Sequence, residues 1–240
     1  KSYLLRSDLL ILSLIANGDW TRPICFTSLS GPQDLGIEKY VRQEGMTYRF
    51  VPFESKTDEI QIDYELAYNN MMNKAVFQGA GKKGIYYDEE NRRRLNLVRL
   101  AYAQVAIRLA NDGQKEKARN VLHHIDNACD ANDFPYGMTS SRGNSHNAIA
   151  ARFLFACLAA DDAGLAKKVA TSLKTDLVQQ INYYNSLGDE RLNMDQLAGA
   201  AYQQLQNGSD ILNTRQSPFA NDILSSYQLL KQIDDWQKKM

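Results

Sequence analysis

Apolar residues in the second half of the chain recur with the spacing of a helix. From Glu89 onward they stand three and four positions apart, at Leu95, Val98, Tyr102, Val105 and Leu109. A second apolar stripe runs beside the first, at Leu97, Leu100 and Ile107. We therefore predict a long helix that is covered on two sides and ends at the Asn-Asp-Gly turn of residues 111–113.

The same pattern continues to the end of the sequence as a series of helix pairs. The partner of the first helix is marked by Ala118, Val121, Leu122, Ile125 and Cys129. A second pair is predicted over residues 148–160 and 165–184, with a turn at the two aspartates 161–162. Each pair leaves an apolar stripe that a neighbouring pair can cover, so residues 89–240 predict a stacked helical domain, an α-α superhelix.

A third pair completes this domain. One of its helices is predicted near residues 194–206 and is stopped by Asn207 and Gly208. The last helix is predicted to begin at Ser217, with Pro218 at its first position, where the missing N–H of proline is not needed.

Residues 1–88 predict a small α+β lobe, so the fold as a whole is mostly α. Ser7 and Gly18 bound a short helix that is apolar nearly all round and should therefore be buried. Two strands are predicted at residues 22–27 and 47–53, with a short helix from Asp34 through Val41 between them. Asp63 caps a further helix, which ends before the glycines at positions 79, 81 and 84.

Composition excludes several classes of protein. The 28 basic and 28 acidic residues balance, so nothing indicates a nucleic-acid groove. The apolar run at residues 9–16 is shorter than the ~20 residues that span a bilayer, and no cleavage site follows it, so we expect no signal peptide and a soluble chain. Three widely spaced cysteines cannot form a full disulfide framework.

Several strings in the first half are similar to those of one family. They are residues 17–26 (NGDWTRPICF), 35–40 (LGIEKY), 44–52 (EGMTYRFVP), 69–74 (NNMMNK) and 85–91 (IYYDEEN). Over residues 4–125 the chain resembles the C-terminal portion of bacterial multi-pass membrane proteins whose N-terminal half is similar to protein O-mannosyltransferases. The spacing Gly113-x-x-x-x-Ala118 also resembles the tetratricopeptide signature, although Pro135 comes later than a standard repeat places it.

The resemblance implies a domain tethered at the periplasmic face of the cytoplasmic membrane, beside a glycosyltransferase that uses a lipid-linked sugar. In such transferases the catalytic acids lie in the membrane half, so no catalytic residue is carried over to this chain. The membrane-embedded half of the same protein is the partner that the resemblance implies, and membrane attachment would come only through an upstream tether.

Possible chemical sites in the sequence have simpler explanations. Residues 79–84 lack the spacing and the Ser or Thr of a phosphate-binding loop. His123, Asp126 and Asp130 could share a helix face and bind a metal, but a solvated face is the better interpretation. Arg92–Arg94 pair with preceding acids, although they could instead contact phosphates. We therefore predict no metal, no cofactor and no enzymatic activity in this chain.

Two functions remain as hypotheses. The first is a non-catalytic interaction domain that holds an extended peptide or substrate protein in a groove of the helix stack. The second is a carbohydrate-binding module that uses Tyr/Asn clusters at residues 68–70 and 182–185. The candidate partner-binding residues are Arg99, Tyr102 and Arg108 of the helix stack, and Arg22, Tyr48 and Arg49 of the lobe.

Overall fold

The computed structural model describes residues 3–55, 61–139, 144–187 and 219–238. Its helices are α1 (Arg6–Ala16), α2 (Ser30–Leu35), α3 (Tyr64–Asn73), α4 (Glu89–Asn111), α5 (Lys115–Ala128), α6 (Ser145–Ala159), α7 (Ala163–Leu187) and α8 (Ala220–Gln237). The strands are β1 (Cys25–Phe26), β2 (Val41–Gln43), β3 (Tyr48–Phe50) and β4 (Gln61–Ile62). The predicted combination of a small N-terminal sheet and a mostly helical remainder is thus confirmed. No helix in the described part of the chain is long and apolar enough to cross a bilayer.

The four strands form one sheet in the order β1-β3-β2-β4. β3 pairs antiparallel with both β1 and β2, while β4 pairs parallel with β2. Val41 lies opposite Phe50 in this register, and both side chains are buried. Arg42 and Arg49, the next pair along, are only partly buried. Side chains alternate between the faces of a strand, so one face of the sheet packs inward and the other faces solvent.

The two strands predicted for the lobe are present but short, since residues 22–27 contain β1 and residues 47–53 contain β3. The helix predicted from Asp34 through Val41 is wrong. α2 ends at Leu35 because Gly36 adopts φ 68°, a left-handed conformation that terminates a helix. A 3-10 turn at Glu38–Tyr40 follows, and Val41 then begins β2.

α1 forms near its predicted position, but the prediction that it is buried is wrong. Leu9 and Leu10 are 55% and 62% exposed, and Leu12 and Leu14 are exposed as well. Only Ile11 and Ile15 among its apolar side chains are half-buried. An apolar sequence indicates that a helix can be buried, but it does not supply the neighbour that would cover it.

The long helices pack against one another. α4 contacts α5, its successor in the chain, and also α6. α6 in turn contacts α7, and α7 contacts α8. At the first turn Gly113 adopts φ 79°, which is strained for other residues, and Ala118 on α5 is fully buried. The small side chain at position 118 therefore lies within the buried core.

Parts of the predicted third pair lie outside the described residues. The helix predicted at residues 194–206, its stop at Asn207 and Gly208, and the start at Ser217 and Pro218 belong to this part of the chain. The final helix itself is described as α8, and it packs against both α7 and α6.

The lobe is joined to the long helices through α3, which contacts α4 and α5. Asp63 caps this helix as predicted, since its carboxylate accepts a hydrogen bond of 3.1 Å from the backbone N–H of Leu66. Ala67 and Met71 of α3 belong to the same buried cluster as the apolar residues of α4–α7. An ion pair of 2.8 Å between Glu65 and Lys117 lies at the edge of this contact. One apolar core therefore crosses the predicted boundary at residue 88.

Candidate binding groove

An open groove of about 330 Å³ lies where the sheet-containing lobe meets α4. One wall comes from the lobe, where Thr27, Ser28 and Leu29 follow β1, Met46 precedes β3 and Tyr48 begins β3. The other wall comes from α4, through Arg94, Leu97, Val98, Leu100, Ala101 and Gln104. The groove is thus lined by residues from both sides of the domain boundary predicted at residue 88.

The α4 wall is one face of the helix, because its members recur at intervals of three and four residues. Leu97 remains 47% exposed and Leu100 is half-buried. These two leucines belong to the second apolar stripe of the sequence. The prediction that α4 is covered on two sides therefore holds only in part, since the lobe leaves this stripe accessible.

The lobe wall combines an apolar and an amphipathic side chain. Met46 is 39% exposed, and a flexible thioether side chain adapts to ligands of different shape. Tyr48 is half-buried, and this burial raises the pKa of its phenol above the ordinary value of 10. At neutral pH Tyr48 therefore offers a neutral hydroxyl that can both donate and accept a hydrogen bond.

Arg94 places a cation at the rim of the groove. Its Nε lies 2.9 Å from Glu90 Oε1, one turn earlier on α4. Glu90 also accepts two hydrogen bonds from Arg93, and this pairing lowers the pKa of the Glu90 carboxyl to about 2. Arg93 is the main cause of this lowered pKa. Because Glu90 is ionised and pairs with two arginines, the three exposed side chains together carry one net positive charge at the rim.

Arg99 and Tyr102 do not line any surface. Arg99 is 3% exposed, and its two terminal nitrogens donate to the carbonyl oxygens of Pro135 and Phe134 at 2.8 and 2.6 Å. The guanidinium carbon also lies 3.7 Å from the Phe134 ring centre and 4.2 Å from that of Tyr136. Tyr102 is fully buried. The prediction that these two side chains face a partner is corrected accordingly, because both hold the core together.

Of the four remaining candidates, three are accessible but dispersed. Arg22 is exposed before β1, and Arg49 lies 3.8 Å from Glu44 on the sheet. Because Arg49 follows Tyr48 in β3, its side chain points to the opposite face of the sheet from the groove. Arg108 is near the far end of α4, where it pairs with Asp112 at 3.3 Å. Of the six predicted residues, Tyr48 alone lines the groove.

A second, smaller cleft of about 220 Å³ lies on α7. It is lined by Thr139, Asp176, Gln179, Gln180, Tyr183 and Tyr184. Tyr183 is 60% exposed, and its ring lies edge-on to that of Tyr184 at 5.5 Å. The Tyr184 ring is in turn stacked on Phe219 at 5.3 Å. One of the two Tyr/Asn clusters named from the sequence is therefore part of a cleft.

The polar wall of this cleft is held in place by its own hydrogen bonds. Asp176 accepts from the side-chain amides of Asn147 and Gln180 at 2.7 and 2.6 Å. Gln180 is 6% exposed, and its Oε1 lies 3.4 Å from the hydroxyl of Ser226 on α8. The carboxylate is thus fixed in position, while the neighbouring amide of Gln179 is exposed.

The residues considered for metal binding or catalysis are used in other contacts. His123 Nε2 lies 2.7 Å from Asp162 Oδ2, and Asp126 accepts from Tyr136 and Lys168 at 2.9 and 2.6 Å. Throughout the described ranges, no group of three or more His, Cys, Asp or Glu side chains is arranged to hold a metal ion. The groove and the α7 cleft are two candidate binding sites.

Sequence reasoning did not identify Met46 or the residues after β1 as part of a site. For the α4 wall, the sequence does carry a signal. Leu97 and Leu100 form an apolar stripe that the contact between α4 and α5 does not need, so this stripe is available for another contact. For Met46 and residues 27–29, nothing local in the sequence distinguishes them. Their position depends on how the lobe docks onto α4.

The fold and the groove define a mostly helical protein with a small N-terminal sheet and an open apolar site between the two. Residues 1–71 match the family model described as TMEM260-associated domain 2, which fits a TMEM260-like family. The match covers the lobe through Met71 and includes three of the five strings singled out above in full. It ends before α4, so it bears on the lobe and not on the long helices. No curated protein and no solved structure matches the chain.

Proposed function

We propose that this chain is a non-catalytic, extracytoplasmic interaction domain of a membrane glycosyltransferase, and that its groove holds an extended segment of a partner or substrate protein. In this proposal the helix pairs are degenerate tetratricopeptide-like repeats, which typically bind peptides on their first helices. α4 and α6 would be such first helices. The periplasmic location and the transferase half belong to the proposal as well.

The observation that carries the proposal is the open apolar groove between the lobe and α4. Its volume of about 330 Å³ is at the lower end for ligand pockets, which suits a few side chains of a longer polypeptide. Leu97 and Met46 provide apolar contact from the two walls, and Tyr48 provides a hydrogen-bonding group. The cation of Arg94 at the rim favours a segment with an acidic residue next to its apolar ones.

Peptide selection on the 240-residue chain tests this use of the groove. Peptides of about 12 residues are selected from a random library, and their affinities are measured by calorimetry for the wild type and for Leu97→Glu. We expect the substitution to weaken binding at least about tenfold, because it places a charge in the apolar wall. Selected peptides should carry an apolar residue beside an acidic one.

The matched control is Val178→Glu, which adds the same charge at a residue of α7 that is 44% exposed, close to the 47% of Leu97. This control should bind the peptides like the wild type. Peptides that bind equally well to Leu97→Glu would place their site elsewhere and would overturn the assignment of the groove. The link to the transferase is tested separately, by deleting this domain from the parent protein. Unchanged glycan transfer and assembly would contradict that link.

A carbohydrate-binding function is the second candidate, and the α7 cleft is the observation that favours it. Tyr183 and Tyr184 provide aromatic faces, and Asp176 and Gln179 provide polar groups beside them. Aromatic rings next to oriented amides and carboxylates suit the alternating apolar and hydroxyl surfaces of a sugar. The other Tyr/Asn cluster is less suitable, because Asn70 donates to the Glu44 carbonyl oxygen at 2.8 Å.

A glycan array followed by calorimetry distinguishes the two candidates. If the cleft binds sugars, Tyr183→Ala should abolish glycan binding, whereas Tyr86→Ala, at an even more exposed tyrosine outside the cleft, should not change it. Peptide binding with no response to any glycan would eliminate this second candidate.

A further inference from the structure

Large apolar side chains are concentrated and exposed at the start of the described chain. Between positions 3 and 14 they are 36% to 67% exposed, at Tyr3, Leu4, Leu5, Leu9, Leu10, Leu12 and Leu14. Single exposed leucines are common on proteins, but a contiguous apolar patch marks a contact surface. We propose that α1 and the residues before it lie in the headgroup layer of a phospholipid membrane, parallel to its surface.

The shape of the uncovered surface favours lipid as its occupant. Ile11 and Ile15, four residues apart, are the half-buried side chains through which α1 contacts the rest of the protein. Around the helix axis, Leu10 lies about 100° from Ile11, and Leu14 lies about 100° from Ile15. Leu9 lies about 160° from Ile11. The apolar surface is therefore wider than the narrow stripe that a helix presents to a single protein groove. Acyl chains conform to a wide apolar face.

The charges of α1 fit the same environment. Its single acid, Asp8, is 4% exposed, and its carboxylate accepts a hydrogen bond of 2.7 Å from the backbone N–H of Leu5. The acid is thus withdrawn from the surface and used at the start of the helix. Arg6 is exposed, and its long side chain can reach lipid phosphates while the neighbouring leucines enter the acyl layer. The exposed face of α1 carries a cation and no acid.

Amphipathic aromatic residues flank the helix on both sides. Tyr3 precedes α1 and is 67% exposed, and Trp20 follows it and is 51% exposed even though its ring stacks on Phe50 at 5.7 Å. Tyrosine and tryptophan are enriched at the headgroup level of membranes. Asp19 is also exposed here, and hydrogen bonds from the hydroxyl and the N–H of Thr21 lower the pKa of its carboxyl, so it keeps its negative charge close to Arg22 in the sequence.

The length of α1 determines its orientation in this proposal. Its 11 residues give a helix of about 16 Å, roughly half the thickness of the hydrocarbon layer. Such a helix cannot span a bilayer, but it can lie in the interface and bury its leucines about 5–10 Å deep. The proposal does not depend on the groove on α4, so the failure of either leaves the other standing.

Vesicle binding by the 240-residue chain tests the proposal, with Trp20 as the reporter. The chain has two tryptophans, and Trp236→Phe leaves Trp20 as the fluorophore next to α1. Vesicles of phosphatidylcholine alone, and of phosphatidylcholine with phosphatidylglycerol, are titrated into the protein. We expect a blue shift of Trp20 emission, quenching by brominated acyl chains, and co-flotation with vesicles, all stronger for the anionic composition because of Arg6.

In the same background, the double variant Leu10→Glu/Leu14→Glu should weaken partitioning at least about a hundredfold. The matched control Val76→Glu/Val178→Glu adds the same charge at exposed residues far from α1 in the sequence and should bind like the parent. Circular dichroism establishes that both are folded. Absence of vesicle binding, or equal loss in both variants, would overturn the proposal. A leucine-dependent dimer without vesicle binding would overturn it in favour of a second copy of the chain.

Discussion

The hydroxyl of Tyr102 donates a hydrogen bond of 3.1 Å to the backbone carbonyl oxygen of Met71. Met71 lies in the last turn of α3, where carbonyl groups lack a partner within the helix. The buried phenol therefore completes the C-terminal end of α3 and ties the lobe to α4. The same hydroxyl lies 3.1 Å from Nδ1 of His124 on α5, so it can accept a hydrogen bond when that nitrogen carries the proton.

Removing this hydroxyl should destabilise the protein. Tyr102→Phe keeps the ring in the core but leaves the Met71 carbonyl and the His124 ring nitrogen without their partner. We expect a loss of about 1–3 kcal/mol in the free energy of unfolding, measured by urea denaturation. Tyr86→Phe is the control, because Tyr86 is 83% exposed and should change the free energy by less than about 0.5 kcal/mol. Equal midpoints for the two variants would contradict the role of Tyr102.

The elements that could be predicted from sequence are those whose signal is local. α4 and α5 follow directly from apolar periodicity and from the turn at Gly113, because both helices bury most of one continuous face. β2 was not predicted, since its three residues carry no pattern of their own. It exists because Val41 pairs with Phe50 across the sheet. Short strands of this kind are determined by their partners.

Long-range contacts also explain why the candidate residues were only partly predicted. Arg99 is a charged residue on an amphipathic helix, and such residues usually face solvent. Its burial depends on the carbonyl groups of Phe134 and Pro135, which lie more than 30 residues away in the sequence. The groove on α4 depends in the same way on the docking of the lobe. The stripe at Leu97 indicated that a contact exists, but it did not indicate that the contact is incomplete.

The planar guanidinium group of Arg99 should be necessary to hold the segment after α5 in place, because it donates to two carbonyl groups of that segment. Arg99→Lys keeps the charge but cannot donate to the two carbonyl groups together or stack in the same way on the Phe134 ring. We expect a loss of about 2–3 kcal/mol in unfolding free energy by urea denaturation. Arg93→Lys serves as the control, since Arg93 lies on the same helix with its side chain 54% exposed, and should change stability by less than about 1 kcal/mol. A comparable effect of the two substitutions would refute the special role of Arg99.

Acid should destabilise the fold through His146. Burial is the main cause that lowers the pKa of this imidazole below 6.5, Glu89 raises it and Arg92 lowers it. The ring is 4% exposed, and its Nδ1 has no hydrogen-bond partner among the described residues. Because the unfolded chain binds the proton more readily, this contribution is present above about pH 6.5 and is lost as the pH falls toward the lowered pKa.

Two measurements check the contribution of His146. The NMR titration of its ring should have a midpoint below 6.5, and a midpoint above that value would contradict the burial argument. Between pH 6.5 and 5, the wild type should lose unfolding free energy more steeply than His146→Gln. The difference in slope should not exceed about 1.4 kcal/mol per pH unit, the limit for one proton.

The backbone at Gly137 lies so close to the backbone of α7 that adding a side chain there should destabilise the protein. A Cβ atom at this position would lie 2.2 Å from the carbonyl oxygen of Ser172 on α7, far inside contact distance. Because backbone is the obstacle, Gly137→Ala must push the segment away from α7, and we expect a loss of at least about 2 kcal/mol in unfolding free energy. Gly164→Ala is the control, since its nearest neighbour would be the Asp162 side chain at 3.7 Å, and helix propensity predicts no loss or a gain of up to about 1 kcal/mol. Thermal midpoints of the two variants should therefore move apart, and a Gly137→Ala midpoint at or above that of the wild type would contradict this packing.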